Sequence, residues 1–131
     1  MYFVEPRNFV LLRELEQAEK GIGDGRCSYG LKTPDDVMMY RWDGTIFDPH
    51  HSSSENGFYA LEIYCGDDYP KKPPTVSFTQ PLRMPGLRDD MCTVDFSAID
   101  GLKTWKASYG MAHVLKCLYN HIVKHKPRSL R

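Results

Sequence analysis

Tyr69-Pro70-Lys71-Lys72-Pro73-Pro74-Thr75-Val76-Ser77-Phe78 packs three prolines into five residues and then alternates polar with apolar side chains. Each proline fixes its own φ and removes a backbone donor, so residues 66–74 read as a turn that stiffens before Thr75–Phe78 extends as a short strand. Working upstream, Phe58–Cys65 alternates cleanly. Tyr59, Leu61 and Ile63 share one face, while Phe58, Ala60, Glu62 and Tyr64 share the other. Met38–Phe47 and Cys27–Leu31 complete a set of four strands. Between the second and third lies a polar loop, Asp48-Pro49-His50-His51-Ser52-Ser53-Ser54-Glu55-Asn56-Gly57.

Helices flank these strands. Pro6 opens the first, since a proline costs nothing in a first turn. Leu11, Leu12, Leu15 and Ala18 form its apolar stripe, and Lys20-Gly21 closes it with a basic last turn and a glycine stop. Gly21, Gly23, Asp24 and Gly25 then make a turn. At 100° per residue Phe9 points about 60° beyond Leu12, nearly opposite Ala18, and Val10 lies on the other flank. Phe9 therefore either caps the edge of the core or stands exposed as an anchor for another protein, and periodicity does not choose. Downstream, Gln80 to about Ser108 has no periodicity, and irregular runs of that length are usually functional. A last helix carries Met111, Val114, Leu115, Leu118 and Ile122 on one face. Local strand connections between helices predict an α+β fold, an antiparallel meander with helices packed on it, as a single domain over residues 1–131.

Composition excludes several function classes. Seventeen basic residues balance seventeen acidic ones, so there is no concentrated positive field for nucleic acid or a membrane surface. The tail Lys124-His125-Lys126-Pro127-Arg128 with Arg131 reads as a solvated terminus. No apolar run approaches the roughly 20 residues that span a bilayer. Met1-Tyr2-Phe3-Val4-Glu5-Pro6 has neither a basic nor a long apolar region of a signal peptide. Cys27, Cys65, Cys92 and Cys117 are dispersed, and without an export signal they read as reduced thiols of a cytosolic or nuclear protein.

Few residues suggest chemistry. His50-His51 has no cysteine or carboxylate cluster at ligand spacing, and His121 with His125 supplies only two ligands, so neither a metal nor any other cofactor is expected. The pairs Asp35-Asp36 and Asp89-Asp90 lie in polar loops, without the apolar burial that splits the pKa values of a catalytic dyad. Cys92 is the candidate nucleophile. It sits in the long irregular segment, with Arg88 near enough in sequence to lower its pKa and His113 as a possible neighbour in space.

The stretch from Tyr69 to Phe78 resembles the Y-P-x-x-P-P-x-V-x-F signature of ubiquitin-conjugating enzymes. Asp48-Pro49 and Glu55-Asn56-Gly57-Phe58 are similar to that family's G-P…Y-E-G-G-x-F loop and strand, and Trp105 and Val114-Leu115 match the tryptophan and helix beyond its active site. The resemblance covers essentially the whole chain. It implies the family's four-stranded antiparallel meander with an N-terminal and a C-terminal helix.

The sequence departs from the family where the family is catalytic. Active members place His-Pro-Asn eight residues after the motif valine, the asparagine supporting the oxyanion; here Met84-Pro85-Gly86 stands there. Their cysteine follows about ten residues after that histidine, and ten after Met84 is Val94, which cannot form a thioester. Val94 to Trp105 spans eleven residues against about eight in active members. That gap, the string Trp105-Lys106-Ala107-Ser108-Tyr109, the opening Pro6-Arg7-Asn8-Phe9 and an ending without two further helices resemble the ubiquitin-conjugating-enzyme variants. Among these the chain is most similar to the short subgroup that helps build chains through lysine sixty-three of ubiquitin.

That resemblance implies a noncatalytic subunit. It would form a heterodimer with an active ubiquitin-conjugating enzyme and hold an acceptor ubiquitin noncovalently, so that one lysine faces the partner's thioester. It implies Phe9 as the anchor in the partner's pocket, with Pro6, Arg7, Asn8 and Leu12 around it. It places acceptor binding on Ser28, Thr45 and Phe58. Phe58 stands where isoleucine is common, either exposed or buried. The alternative is an active enzyme that brings Cys92 into register through a two-residue deletion. The missing asparagine, a missing glycine before the cysteine and thirteen residues from Cys92 to Trp105 weigh against it.

Overall fold

The Pro6 carbonyl accepts hydrogen bonds from the amides of Phe9 (3.1 Å) and Val10 (3.2 Å), and from there the chain winds into α1, Arg7–Lys20. Pro6 is thus the cap, with an extended ψ of 149°, rather than the first helical residue. The computed structural model describes residues 5–21, 23, 25–50 and 57–129. Met1 to Val4, Asp24, the run His51 to Asn56 and Arg131 lie outside the described residues.

The buried face of α1 is not the expected stripe. Val10, Leu11 and Glu14 are buried and Leu15 and Ala18 half-buried, while Leu12 is exposed. The cause is Glu14. Its carboxylate accepts the Tyr69 hydroxyl (2.6 Å) and the Met111 amide (2.6 Å), and its carbonyl accepts the Tyr29 hydroxyl (2.7 Å). Three donors from three parts of the chain draw Glu14 inward, which turns Val10 in and Leu12 out. Hydrophobic periodicity does not register such polar partners.

Strands β1 (Cys27–Leu31), β2 (Arg41–Phe47), β3 (Phe58–Tyr64) and β4 (Thr75–Phe78) form one antiparallel sheet in chain order. The second starts three residues later than expected. Met39 adopts φ 55°, donates its amide to the Asp36 carbonyl (3.0 Å) and offers its own carbonyl to the Trp42 indole (2.8 Å), all incompatible with an extended strand. Helix α2, Met111–His125, buries Met111, Val114, Leu115, Leu118 and Ile122 as its periodicity predicts.

Both helices lie on the same side of the sheet. Tyr29 reaches Glu14 of α1, and Cys27 and Gly44 meet Leu115 of α2. Gly44 permits this close approach, because a Cβ would lie 3.2 Å from Ile63 Cδ1 and 3.3 Å from Leu115 Cδ2, and both side chains would have to give way slightly. Trp42, Ile46, Tyr59, Leu61, Ile63 and Val76 face the helices and form the core with them. Each fully buried leucine or isoleucine contributes about 1.5–3 kcal/mol. The other side of the sheet carries no helix among the described residues.

The segment from Gln80 to Ser108 is irregular but tied down. It forms bridges Ser77–Thr93 and Leu87–Val94, a 3-10 turn at Phe96–Ala98, and buries Ile99 and Leu102. A two-residue strand, β5 (Leu82–Arg83), pairs with β6 (Arg128–Ser129) beyond α2. Strands so short leave no periodicity to read. Among the described residues no helix follows α2, and none is long and apolar enough to cross a membrane.

Candidate functional site

Val94 is 4% exposed, and its amide donates to the Val76 carbonyl at 2.9 Å. The valine of the proline-rich motif thus fixes it from β4. Gly86 sits beside it: the Asp95 amide donates to the Gly86 carbonyl (2.8 Å) and Leu87 bridges to Val94. Gly86 has φ 95°, and a Cβ there would fall 2.6 Å from Ile99 Cδ1 and 3.1 Å from His121 Nε2. A side chain here would have to displace Ile99 and crowd His121, in a backbone conformation that favours glycine. His121 donates its Nε2–H to the Pro85 carbonyl (2.6 Å), which holds the ring in that space. The thiol at position 94 and the side-chain oxyanion donor at position 86 are therefore missing together.

Cys92 does not replace them. Its amide donates to Asp90 Oδ1 (2.9 Å) and its carbonyl accepts the Phe78 amide (2.9 Å), so its backbone is fixed two residues away from the Val94 position. Partial burial, and then Asp90, push its thiol above the ordinary range. Arg88, itself exposed, does not offset this. His113 lies elsewhere, with Nε2 3.0 Å from the Gly101 carbonyl oxygen and 3.5 Å from Cys117 Sγ. A thiol with a raised pKa is a poor nucleophile at neutral pH.

The start of α1 presents a different surface. Phe9 is 61% exposed, and Leu12, one turn on, is 48% exposed. Pro6 and Asn8 are exposed too. Arg7 turns the other way. Its Nε and Nη2 donate to the carbonyls of Gly66 and Cys65 (2.8 Å each), and Nη1 donates to that of Met38 (2.6 Å). The guanidinium also lies 4.9 Å from the centre of the Tyr40 ring. Arg7 pins the helix start to the loops that leave β3 and enter β2.

Ser28, Thr45 and Phe58 all come together on the helix-free face of the sheet. Ser28 pairs with Thr45, Thr45 with Ala60, and Phe58 follows two residues before Ala60 on the same side. Ser28 and Phe58 are exposed and Thr45 half-buried. Phe58 belongs to the open face, which settles its side of the sheet. Two residues went unnoticed in the sequence. Glu14 reads as one of three helix glutamates, and Phe47, exposed opposite Phe58, reads only as the end of a strand. The alternation of β2 could have revealed Phe47, since it shares a face with Thr45.

His50 Nε2 lies 3.1 Å from the Ile122 carbonyl oxygen, and His51 is outside the described residues. Among the described residues no three metal-ligating side chains gather.

Comparison with known proteins returns the same picture. Residues 12–129 match the family described as "Ubiquitin-conjugating enzyme". The chain is 42% identical over 128 residues to "Ubiquitin-conjugating enzyme variant MMS2" of Saccharomyces cerevisiae, covering 96% of this chain and 91% of that protein. It is also 42% identical over 127 residues to "Ubiquitin-conjugating enzyme E2 variant 1C" of Arabidopsis thaliana, covering 97% and 88%. The structure of human ubiquitin-conjugating enzyme E2 G1 superposes with a TM-score of 0.73 at 20% identity, covering 92% of this chain and 98% of that one. The last likeness concerns the fold alone.

Proposed function

The chain belongs to the ubiquitin-conjugating enzyme family, as a variant without the nucleophile, and from that premise we propose that it works by holding an acceptor ubiquitin for an active partner. In this reading it forms a heterodimer with an active ubiquitin-conjugating enzyme through the start of α1. Phe9 enters a pocket of the partner, with Pro6, Asn8 and Leu12 around it. Arg7 contributes by fixing the helix start. Ser28, Thr45 and Phe58 hold the acceptor noncovalently, so that lysine sixty-three of ubiquitin faces the partner's thioester. Catalysis is then orientation, with the chemistry carried out by the partner.

Phe9 is the observation that carries this reading. A phenylalanine 61% exposed forgoes more than half of the roughly 1.5–3 kcal/mol that full burial would supply. An aromatic ring set in a partner's pocket can dominate the binding energy of an interface. The test combines activating enzyme, ATP, ubiquitin and an active ubiquitin-conjugating enzyme, with and without this protein. Chain synthesis that needs this protein, and stops with ubiquitin lacking lysine sixty-three, is the expected outcome. Synthesis indifferent to its presence with every active enzyme tried would refute the reading.

A further inference from the structure

Ser28, Thr45 and Phe58 leave part of the open sheet face unexplained. Phe47 stands directly opposite Phe58 in the β2–β3 register, and the two are 48% and 39% exposed. Neither ring serves the core, because the adjacent Ile46 and Tyr59 fill it from the other side. The face divides along its length. Toward Tyr64 it carries Arg41, Asp43, and Lys32 paired with Glu62 at 3.0 Å. Toward Phe58 it carries Ser28, Thr45, Ala60, Phe47 and Phe58, with no charge among them. Arg26, whose carbonyl accepts the Phe47 amide, places its guanidinium over the Tyr119 ring of α2, 5.2 Å from its centre.

We propose that Phe47 is a further acceptor-binding residue, and that Phe47 and Phe58 together are the apolar anchor of the acceptor surface. The inference rests on the acceptor reading above and extends it. Opposite each other on adjacent strands, the two exposed phenylalanines put apolar surface at this end of the face, with Ser28 and Thr45 as polar neighbours. The occupant it fits is an uncharged, apolar area of the acceptor ubiquitin. A charged area would lose hydration against two phenylalanines without any partner for its charge. The charged half of the face limits how far along the strands the acceptor can lie, and so contributes to its orientation.

The test is a titration of isotopically labelled ubiquitin with the full chain, followed by amide chemical shifts. It needs no partner enzyme. Phe47→Ser is expected to weaken binding on the order of tenfold, as for a central aromatic contact, and Phe47→Leu to retain most of the affinity. Ser28→Arg serves as the control for the acceptor reading. If Ser28→Arg weakens binding and Phe47→Ser does not, Phe47 is excluded and the acceptor reading stands. If neither variant changes the titration, the acceptor reading fails and takes the inference with it. Thermal unfolding of Phe47→Ser separates a mere cross-strand stabilising pair from a binding anchor. A variant that binds weakly only because it is partly unfolded at the titration temperature, and recovers full affinity on cooling, overturns the proposal.

Discussion

A branched hydrocarbon at position 94 removes the nucleophile, but the surroundings remove the rest of the active site. Ile99 and His121 fill the space beside Gly86, and Val94 itself is closed to solvent. Val94→Cys is therefore expected to leave the protein without activity. Incubated with activating enzyme, ATP and ubiquitin, it should give no thiol-sensitive adduct on a non-reducing gel; an adduct would mean that the site is open. The neighbours Arg7 and Phe9 act at the same scale in opposite ways. Phe9→Ala should lower heterodimer affinity by about 2–4 kcal/mol without changing thermal stability. Arg7→Ala should cost about 1–3 kcal/mol of folding stability, because three backbone carbonyls lose their donor. Calorimetry of the double variant separates the roles. If Arg7 acts by holding the helix start, its effect on affinity vanishes in the Phe9→Ala background; full additivity would make it an independent contact.

Among the elements, α1 depends on one carboxylate. Burial raises the Glu14 pKa above its ordinary 4.5, and the hydrogen bonds from Tyr69 and Met111 only partly offset this. The folded state then binds a proton more tightly than the unfolded chain. Its contribution to stability is fully present below about pH 4.5 and is lost as pH rises through the raised value. Glu14→Gln removes this dependence, since the amide stays uncharged and the Tyr69 hydroxyl can turn to accept. Denaturant midpoints of wild type and Glu14→Gln should diverge as pH rises from 4.5, the variant gaining; parallel curves would show that Glu14 titrates normally. The sheet makes a second element-scale prediction. Ser28→Arg and Phe58→Ala should weaken acceptor use, seen as a raised ubiquitin requirement in chain synthesis, while heterodimer affinity stays unchanged. Loss of the heterodimer in either variant would mean that the two surfaces are misassigned.

For the whole molecule, separation of the surfaces is the main consequence of the fold. Arg7 holds the start of α1 at the Cys65–Gly66 end of β3, whereas Phe58 opens that strand. Six residue steps of extended chain place these ends roughly 20 Å apart. A partner at Phe9 and an acceptor on the open face can then be bound together, each with little influence on the other. Titrations of labelled ubiquitin with the free protein and with its heterodimer should give affinities within about threefold, as for sites this far apart without shared contacts. A larger difference would show that the partner completes or covers the acceptor site.

The sequence by itself determined most of the elements and the missing nucleophile, though not the local turn at Met39 that delays β2. The alternation of Phe58–Tyr64, the proline run before β4, the apolar face of α2 and the missing thiol at Val94 are properties of neighbouring residues or of motif spacing, and all stand in the structure. Its limits fell where distant groups compete. Glu14 lies 55 residues from Tyr69 and 97 from Met111, so nothing near it in the chain announces that it turns inward and sends Leu12 outward. The same holds for Arg7, which reaches carbonyls more than 30 residues away, and for β5 and β6, too short to show a period. Phe9 and Phe47 became surface only once the angle of α1 and the side of the sheet taken by both helices were known. Periodicity ranks the faces of one element, but which face is covered depends on the polar contacts and packing of all the others.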